Sequence, residues 1–242
     1  MKSILITGAS AGIGRAAALE FLAAGWKVGL LARRAEPLEA ITGEHANALA
    51  LPADGADPAA VAGAFDAFCS WAGRIDVLFN NAGIFGKAGP IDEIDLDTWH
   101  QVVSVNMNGM FSCAREAFGR MRAQDPQGGR IINNGSISAH VPRDGSICYT
   151  ATKHAVTGMT RTLSLDGRAH GIACGQIDIG NARTEMVEVL HHRTIAAGKT
   201  PDPTMDVKNV TDALMFMATR DLEANVQFMT VMATTMPYIG RG

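Results

Sequence analysis

Little in this chain points toward nucleic acid or a membrane. Its 21 lysines and arginines are outnumbered by 24 acidic residues, giving a formal charge of −3 at neutral pH. No polybasic run breaks that balance, so no broad cationic surface for a nucleic-acid backbone is expected. No uninterrupted apolar stretch approaches the length of a membrane span. Met1-Lys2-Ser3 leads directly into Ile4-Leu5-Ile6, too short an apolar region for a secretory leader, and a cytoplasmic protein is expected. Cys69, Cys113, Cys148 and Cys174 are widely separated, with no C-x-x-C pair and no His/Cys ligand spacing. Reduced thiols and no metal site follow as expectations. Internal repeats, low-complexity blocks and linkers are also missing. What remains is 242 residues, 47% of them hydrophobic, which suits one large α/β domain.

Short apolar runs alternate with helical patterns throughout. Strands are expected at Ser3–Thr7, Lys27–Ala32, Ala48–Pro52, Ile75–Asn80, Arg130–Asn134, Ile172–Asp178 and Val226–Val231. Helices are expected near Gly12–Ala24, Pro58–Trp71, Asp97–Ala123, Tyr149–His170 and Val207–Thr219. That alternation implies a doubly wound parallel sheet of about seven strands, joined by right-handed crossovers, with helices on both faces. Thr184–Asp206 breaks the rhythm, with His191-His192, Gly198, Pro201 and Pro203. A long irregular insertion there reads as a lid over a binding site, or as loose surface chain.

Thr7-Gly8-Ala9-Ser10-Ala11-Gly12-Ile13-Gly14 follows the first strand and opens the first helix. Glycines allow a tight turn and close backbone approach, and the helix N-terminal amides face whatever lies there. A dinucleotide pyrophosphate fits that position, making Gly8, Ser10, Gly12, Ile13 and Gly14 candidate cofactor contacts. Ala32 stands where an acidic residue would bind the adenosine ribose, and Arg33-Arg34 follow. Guanidinium groups suit a 2′-phosphate, so NADP(H) is preferred and NAD(H) is possible. A solvated basic pair at a helix start is the plainer alternative.

Tyr149 follows Ser136 by thirteen positions, and Lys153 follows Tyr149 by four. Four residues along a helix bring two side chains onto one face. An ammonium beside a phenol favours the phenolate and lowers the phenol's pKa from its ordinary value of about 10. Such a phenol exchanges protons with an alcohol or carbonyl near neutral pH.

Together with Asn80-Asn81-Ala82-Gly83 and Asn106, these motifs resemble the short-chain dehydrogenase/reductase family in its classical form, from Ile4 to about Thr184. The resemblance implies a single-domain Rossmann fold and an oxidoreductase interconverting an alcohol and a ketone or aldehyde. It implies a catalytic tetrad of Asn106, Ser136, Tyr149 and Lys153. Tyr149 would be the general acid/base, Ser136 would polarise the substrate oxygen, Lys153 would hold the nicotinamide ribose, and Asn106 would hold a relay water. Asp54 would contact adenine, and Asn80, Ala82 and Gly83 would line the cofactor cleft. Ile179 stands where the family has proline, with Gly180 and Thr184 kept for the nicotinamide side. Ser138 is a close rival to Ser136.

Residues flanking the tetrad are expected to meet a small-molecule substrate. Phe85, Ile147, Met186 and Leu190 would form an apolar wall, with Ser138 and His140 nearby. Arg143 would bind a substrate carboxylate or simply sit on an exposed loop. His191-His192 lacks partners for metal binding. The family also pairs its two long central helices between subunits, implying a homotetramer or homodimer. Two other readings are a non-catalytic dinucleotide-binding regulator on the same fold and an epimerase or dehydratase using its cofactor transiently.

Overall fold

The computed structural model describes residues 1–196 and 198–239. Its strands are β1 (Ser3–Thr7), β2 (Lys27–Ala32), β3 (Ala48–Pro52), β4 (Val77–Asn80), β5 (Gly129–Asn134), β6 (Ile172–Gly180) and β7 (Phe228–Met232). Every residue of β1, β4, β5 and β6 is buried, as both faces of a parallel sheet covered by helices require. The strands form one sheet in the order β3-β2-β1-β4-β5-β6-β7, and every pairing is parallel. β1 pairs with β2 on one side and with β4 on the other. The winding therefore reverses beside β1, and a crevice opens at the carboxyl ends of β1 and β4.

The helices are α1 (Gly12–Ala23), α2 (Glu36–Glu44), α3 (Pro58–Ala72), α4 (Leu96–Val103), α5 (Met110–Ala123), α6 (Ile147–Gly167), α7 (Glu185–Ala196) and α8 (Lys208–Thr219). The two-residue period of β1 sends Ile4 and Ile6 into one core and Leu5 into the other. Phe21 of α1, Leu38 of α2 and Leu214 of α8 pack in the first. Phe65 and Phe68 of α3 pack with Met121 of α5 in the second.

Several expectations shift. Helix α2 went unassigned in the sequence; it forms with Pro37 in its first turn and with Glu36 and Glu39 near its positive end. The helix expected over Asp97–Ala123 is three pieces, because Ser104–Gly109 makes a wider π-helical turn between α4 and α5. The irregular segment from Thr184 also contains a helix, α7. Gly198, Pro201 and Pro203 all lie beyond it, and Glu185–Ala196 holds neither glycine nor proline to break it. β4 starts two residues later than expected, and β6 runs on to Gly180.

The ends of the segment carrying α7 are fastened to each other. Ala182 pairs with Met205. Arg183 N–H donates to the Met205 carbonyl at 2.8 Å, and Met205 N–H to the Asn181 carbonyl at 3.0 Å. Asn181 has φ +52, a left-handed turn that asparagine tolerates better than most residues.

Candidate active site

The crevice at the reversal point is a cleft of about 680 Å³, within the range of cofactor pockets. Gly8, Ser10, Gly12 and Ile13 border it, with Arg33, Arg34 and Asp54 also on its lining. Asn80, Ala82, Gly83, Asn134, Tyr149, Lys153 and Thr184 line it as well. Residues far apart in sequence are thus brought to one cavity.

The turn from β1 into α1 has the features an anion needs. Gly8 takes φ +68, a conformation that costs other residues strain. No side chain caps α1, and its first turn has no acidic residue, so its positive end is left to a ligand. Gly14 does not line the cleft. A Cβ there would lie 2.3 Å from the Gly8 carbonyl oxygen, so this glycine lets the helix close onto the turn. Thr184 closes the other side, 3.6 Å from where a Gly12 Cβ would stand.

Thr7 was missed in the sequence, yet its hydroxyl oxygen accepts from the backbone N–H of Asn81 at 2.8 Å and of Ala82 at 2.9 Å. Asn81 Nδ2 donates to the Thr7 carbonyl, and Asn134 Nδ2 donates to Asn81 Oδ1. Asn134 Oδ1 remains a buried acceptor without a partner. Asn80 Nδ2 donates to the Met110 carbonyl at 2.7 Å, bracing β4 against α5. Polar residues closing otherwise apolar strands were the available clue to this set.

Tyr149 and Lys153 lie on α6, with the ammonium 5.4 Å from the centre of the phenol ring. Phe85 packs on the same ring at 5.1 Å. Lys153 Nζ donates to the Asn134 carbonyl at 2.6 Å. Ser136 follows β5, and its Oγ accepts from Ser138 N–H at 3.1 Å, which leaves its own hydroxyl proton free to be donated. Ser138 is buried and serves here through its backbone. Asn106 sits in the π-helical turn. Its side chain accepts from Ile84 N–H and donates to the Ile84 carbonyl, both at 2.8 Å, and also to Thr152 Oγ1 at 3.2 Å. That amide is therefore engaged with Thr152 of α6 and with the backbone of Ile84, in the loop that follows the Asn-Asn-Ala-Gly motif.

Other expected residues are placed differently. Arg143 Nη2 donates to Asn181 Oδ1 at 2.8 Å and lies 3.8 Å from Asp202, so its guanidinium ties two loops together. His140 Nε2 lies 2.9 Å from Asp178 Oδ2. Ile147 is exposed at the start of α6. Ile179 and Gly180 do not border the cleft; a Cβ on Gly180 would meet Met232, Met236 and Ile137. The side chains of Met186 and Leu190 lie outside the described residues. Asp54 Oδ1 accepts from Ala56 N–H at 3.0 Å.

A family profile described as short chain dehydrogenase matches residues 2–194. The chain belongs to the short-chain dehydrogenase/reductase family. It is 33% identical over 191 residues to a 3beta-hydroxysteroid dehydrogenase of Mediterraneibacter gnavus, covering 77% of this chain and 68% of that one. The solved 3-ketoacyl-(acyl-carrier-protein) reductase of Brucella melitensis, complexed with NADH, superposes with a TM-score of 0.86 at 26% identity, covering 97% of this chain and 98% of the other. A short chain dehydrogenase of Burkholderia cenocepacia in complex with NADP gives 0.82 at 29% identity, covering 95% and 96%. The protein is a nicotinamide-dependent dehydrogenase/reductase acting on CH–OH groups. Among the described residues, no helix is long and apolar enough to cross a membrane.

Proposed function

We propose that this enzyme interconverts an alcohol and a ketone or aldehyde, with Tyr149 as general acid/base and NADP(H) preferred over NAD(H). The supporting observation is that the uncapped start of α1 and the Tyr149–Lys153 pair border one cleft. A bound nicotinamide supplies or accepts the hydride. Tyr149 gives its phenolic proton to the oxygen of a carbonyl being reduced, or takes the proton of an alcohol being oxidised. Ser136 donates to the same oxygen, its hydroxyl proton being left free because its oxygen accepts from Ser138 N–H. Lys153 places its ammonium over the phenol ring, 5.4 Å from the ring centre. Its ammonium also binds the ribose hydroxyls. Asn106 serves the return of the proton through a water held at its widened turn, its side-chain amide being already engaged.

The preference for NADP(H) rests on exposed Arg33 and Arg34 at the end of β2, where Ala32 offers no carboxylate. Arg34 Nη2 reaches Ser10 Oγ at 3.4 Å, beside the glycine turn. Residues 184–206 act as a lid over a small-molecule substrate. Phe111, 58% exposed on α5, lies with Phe118, Met159 and Leu163 along the α5–α6 face. That apolar face supports a homotetramer or homodimer. Four free thiols accord with a cytoplasmic setting.

A panel of carbonyls and alcohols, followed by absorbance of NADPH and NADH, tests the reading. Tyr149→Phe should lower turnover by about 10²–10⁴-fold and leave cofactor affinity nearly unchanged. Retained turnover in that variant would remove Tyr149 from the chemistry.

A further inference from the structure

Asp178 carries a buried carboxylate that no motif singles out. Its side chain is 1% exposed, a costly position for a charge unless donors surround it. Three do. Ser136 N–H donates to Oδ1 at 2.9 Å, Gln176 Nε2 donates to Oδ1 at 2.7 Å, and His140 Nε2 lies 2.9 Å from Oδ2.

These partners bracket the serine. Ser136 begins the short 3-10 turn Ile137–Ala139, and His140 ends it, so one carboxylate clamps both ends of the turn that aims Ser136 Oγ. Gly135 makes the approach possible, since a Cβ there would stand 2.0 Å from Asp178 Oδ1. The clamp continues into α6. Gln176 Nε2 donates to Thr157 Oγ1 at 3.0 Å, and Thr160 Oγ1 donates to Gln176 Oε1 at 3.1 Å. A continuous set of hydrogen bonds thus runs from the Ser136 backbone through Asp178 and Gln176 to the helix that carries Tyr149 and Lys153.

We propose that Asp178 is a positioning residue for the reaction, registering Ser136 against α6 so that the serine and tyrosine hydroxyls meet the same substrate oxygen. The inference rests on Ser136 acting as proposed above.

A double-mutant cycle tests it, using NADPH and the fastest carbonyl of the panel. Asp178→Ala should lower kcat about tenfold or more, within the range for loss of an oriented donor, with NADPH affinity unchanged. In a Ser136→Ala background the same change should add less than about twofold, because Asp178 then has nothing left to aim. Asp178→Asn keeps an oxygen for Ser136 N–H and should restore most of the turnover. Should Asp178→Ala not fold, Asp178→Ser is compared with Asp178→Asn instead. Losses that multiply in the double variant, or an asparagine variant as impaired as the alanine one, would overturn the inference. If Ser136→Ala lowers turnover and Asp178→Ala does not, only this inference fails. If Ser136→Ala costs nothing, the reading of the site itself fails.

Discussion

The ammonium of Lys153, in a residue only 2% exposed, donates to the main-chain carbonyl of Asn134 at 2.6 Å. Among the described residues it meets no carboxylate. A buried cation held only by a carbonyl and the face of a phenol ring contributes little to folding, since its desolvation is incompletely compensated. Lys153→Met should therefore lower turnover about a hundredfold or more while the thermal midpoint holds or rises. Calorimetry beside steady-state kinetics checks both. A fall in midpoint matching the loss of activity would make Lys153 a structural residue.

Two glycines should respond oppositely to the same substitution. Gly14→Ala drives a methyl toward the Gly8 carbonyl, 2.3 Å away, and Asn81 Nδ2, 2.7 Å away. Overpacking of that kind costs about 1–3 kcal/mol, and cofactor affinity should weaken with it. Gly63 on α3 is exposed and has open space around its Cβ position. Gly63→Ala should stabilise the protein by about 0.5–1 kcal/mol. Chemical denaturation of the two variants measures the difference.

Arg33→Ala separates the two cofactors. On the proposed preference, the exposed Arg33 guanidinium would donate charge-assisted hydrogen bonds to a 2′-phosphate, an acceptor that NADH lacks. NADPH affinity should fall about tenfold or more, with NADH affinity nearly unchanged. Titration of both by fluorescence decides, and equal losses would count against the NADP(H) preference.

The thiols should be inert in the native enzyme. Burial pushes the Cys113 and Cys174 thiols up to about 12, and burial also raises Cys69 and Cys148. At pH 8, below those values, the reactive thiolate is scarce. Iodoacetamide should leave Cys113 and Cys174 unlabelled in the folded protein and label them after denaturation. Mass spectrometry of the digested protein reads the outcome.

The parts legible in the sequence were those governed by local pattern. β1 and its glycine turn stand where apolar periodicity and glycine spacing put them. Tyr149 and Lys153 share a helix face, as their spacing required. Helix α7 was obscured because the breakers after it lent their irregularity to the whole segment. The π-helical turn at Asn106 has no sequence mark; it is a tertiary feature, coupled to the hydrogen bonds with Ile84. Thr7 and Asp178 were passed over for a related reason. Each is a polar residue within a buried strand, and only the fold reveals which distant backbone it holds.

The pairing of Ala182 with Met205 has a consequence for descent. Main-chain hydrogen bonds among Asn181, Arg183 and Met205 join the two ends of the intervening segment, while Thr184 near its start still borders the cleft. Loop-closure entropy grows slowly with length, so a longer or shorter insert at that anchor asks little of the sheet. On the lid reading proposed above, changes in length beyond Thr184 alter substrate range while Tyr149 and Lys153 stay fixed on α6.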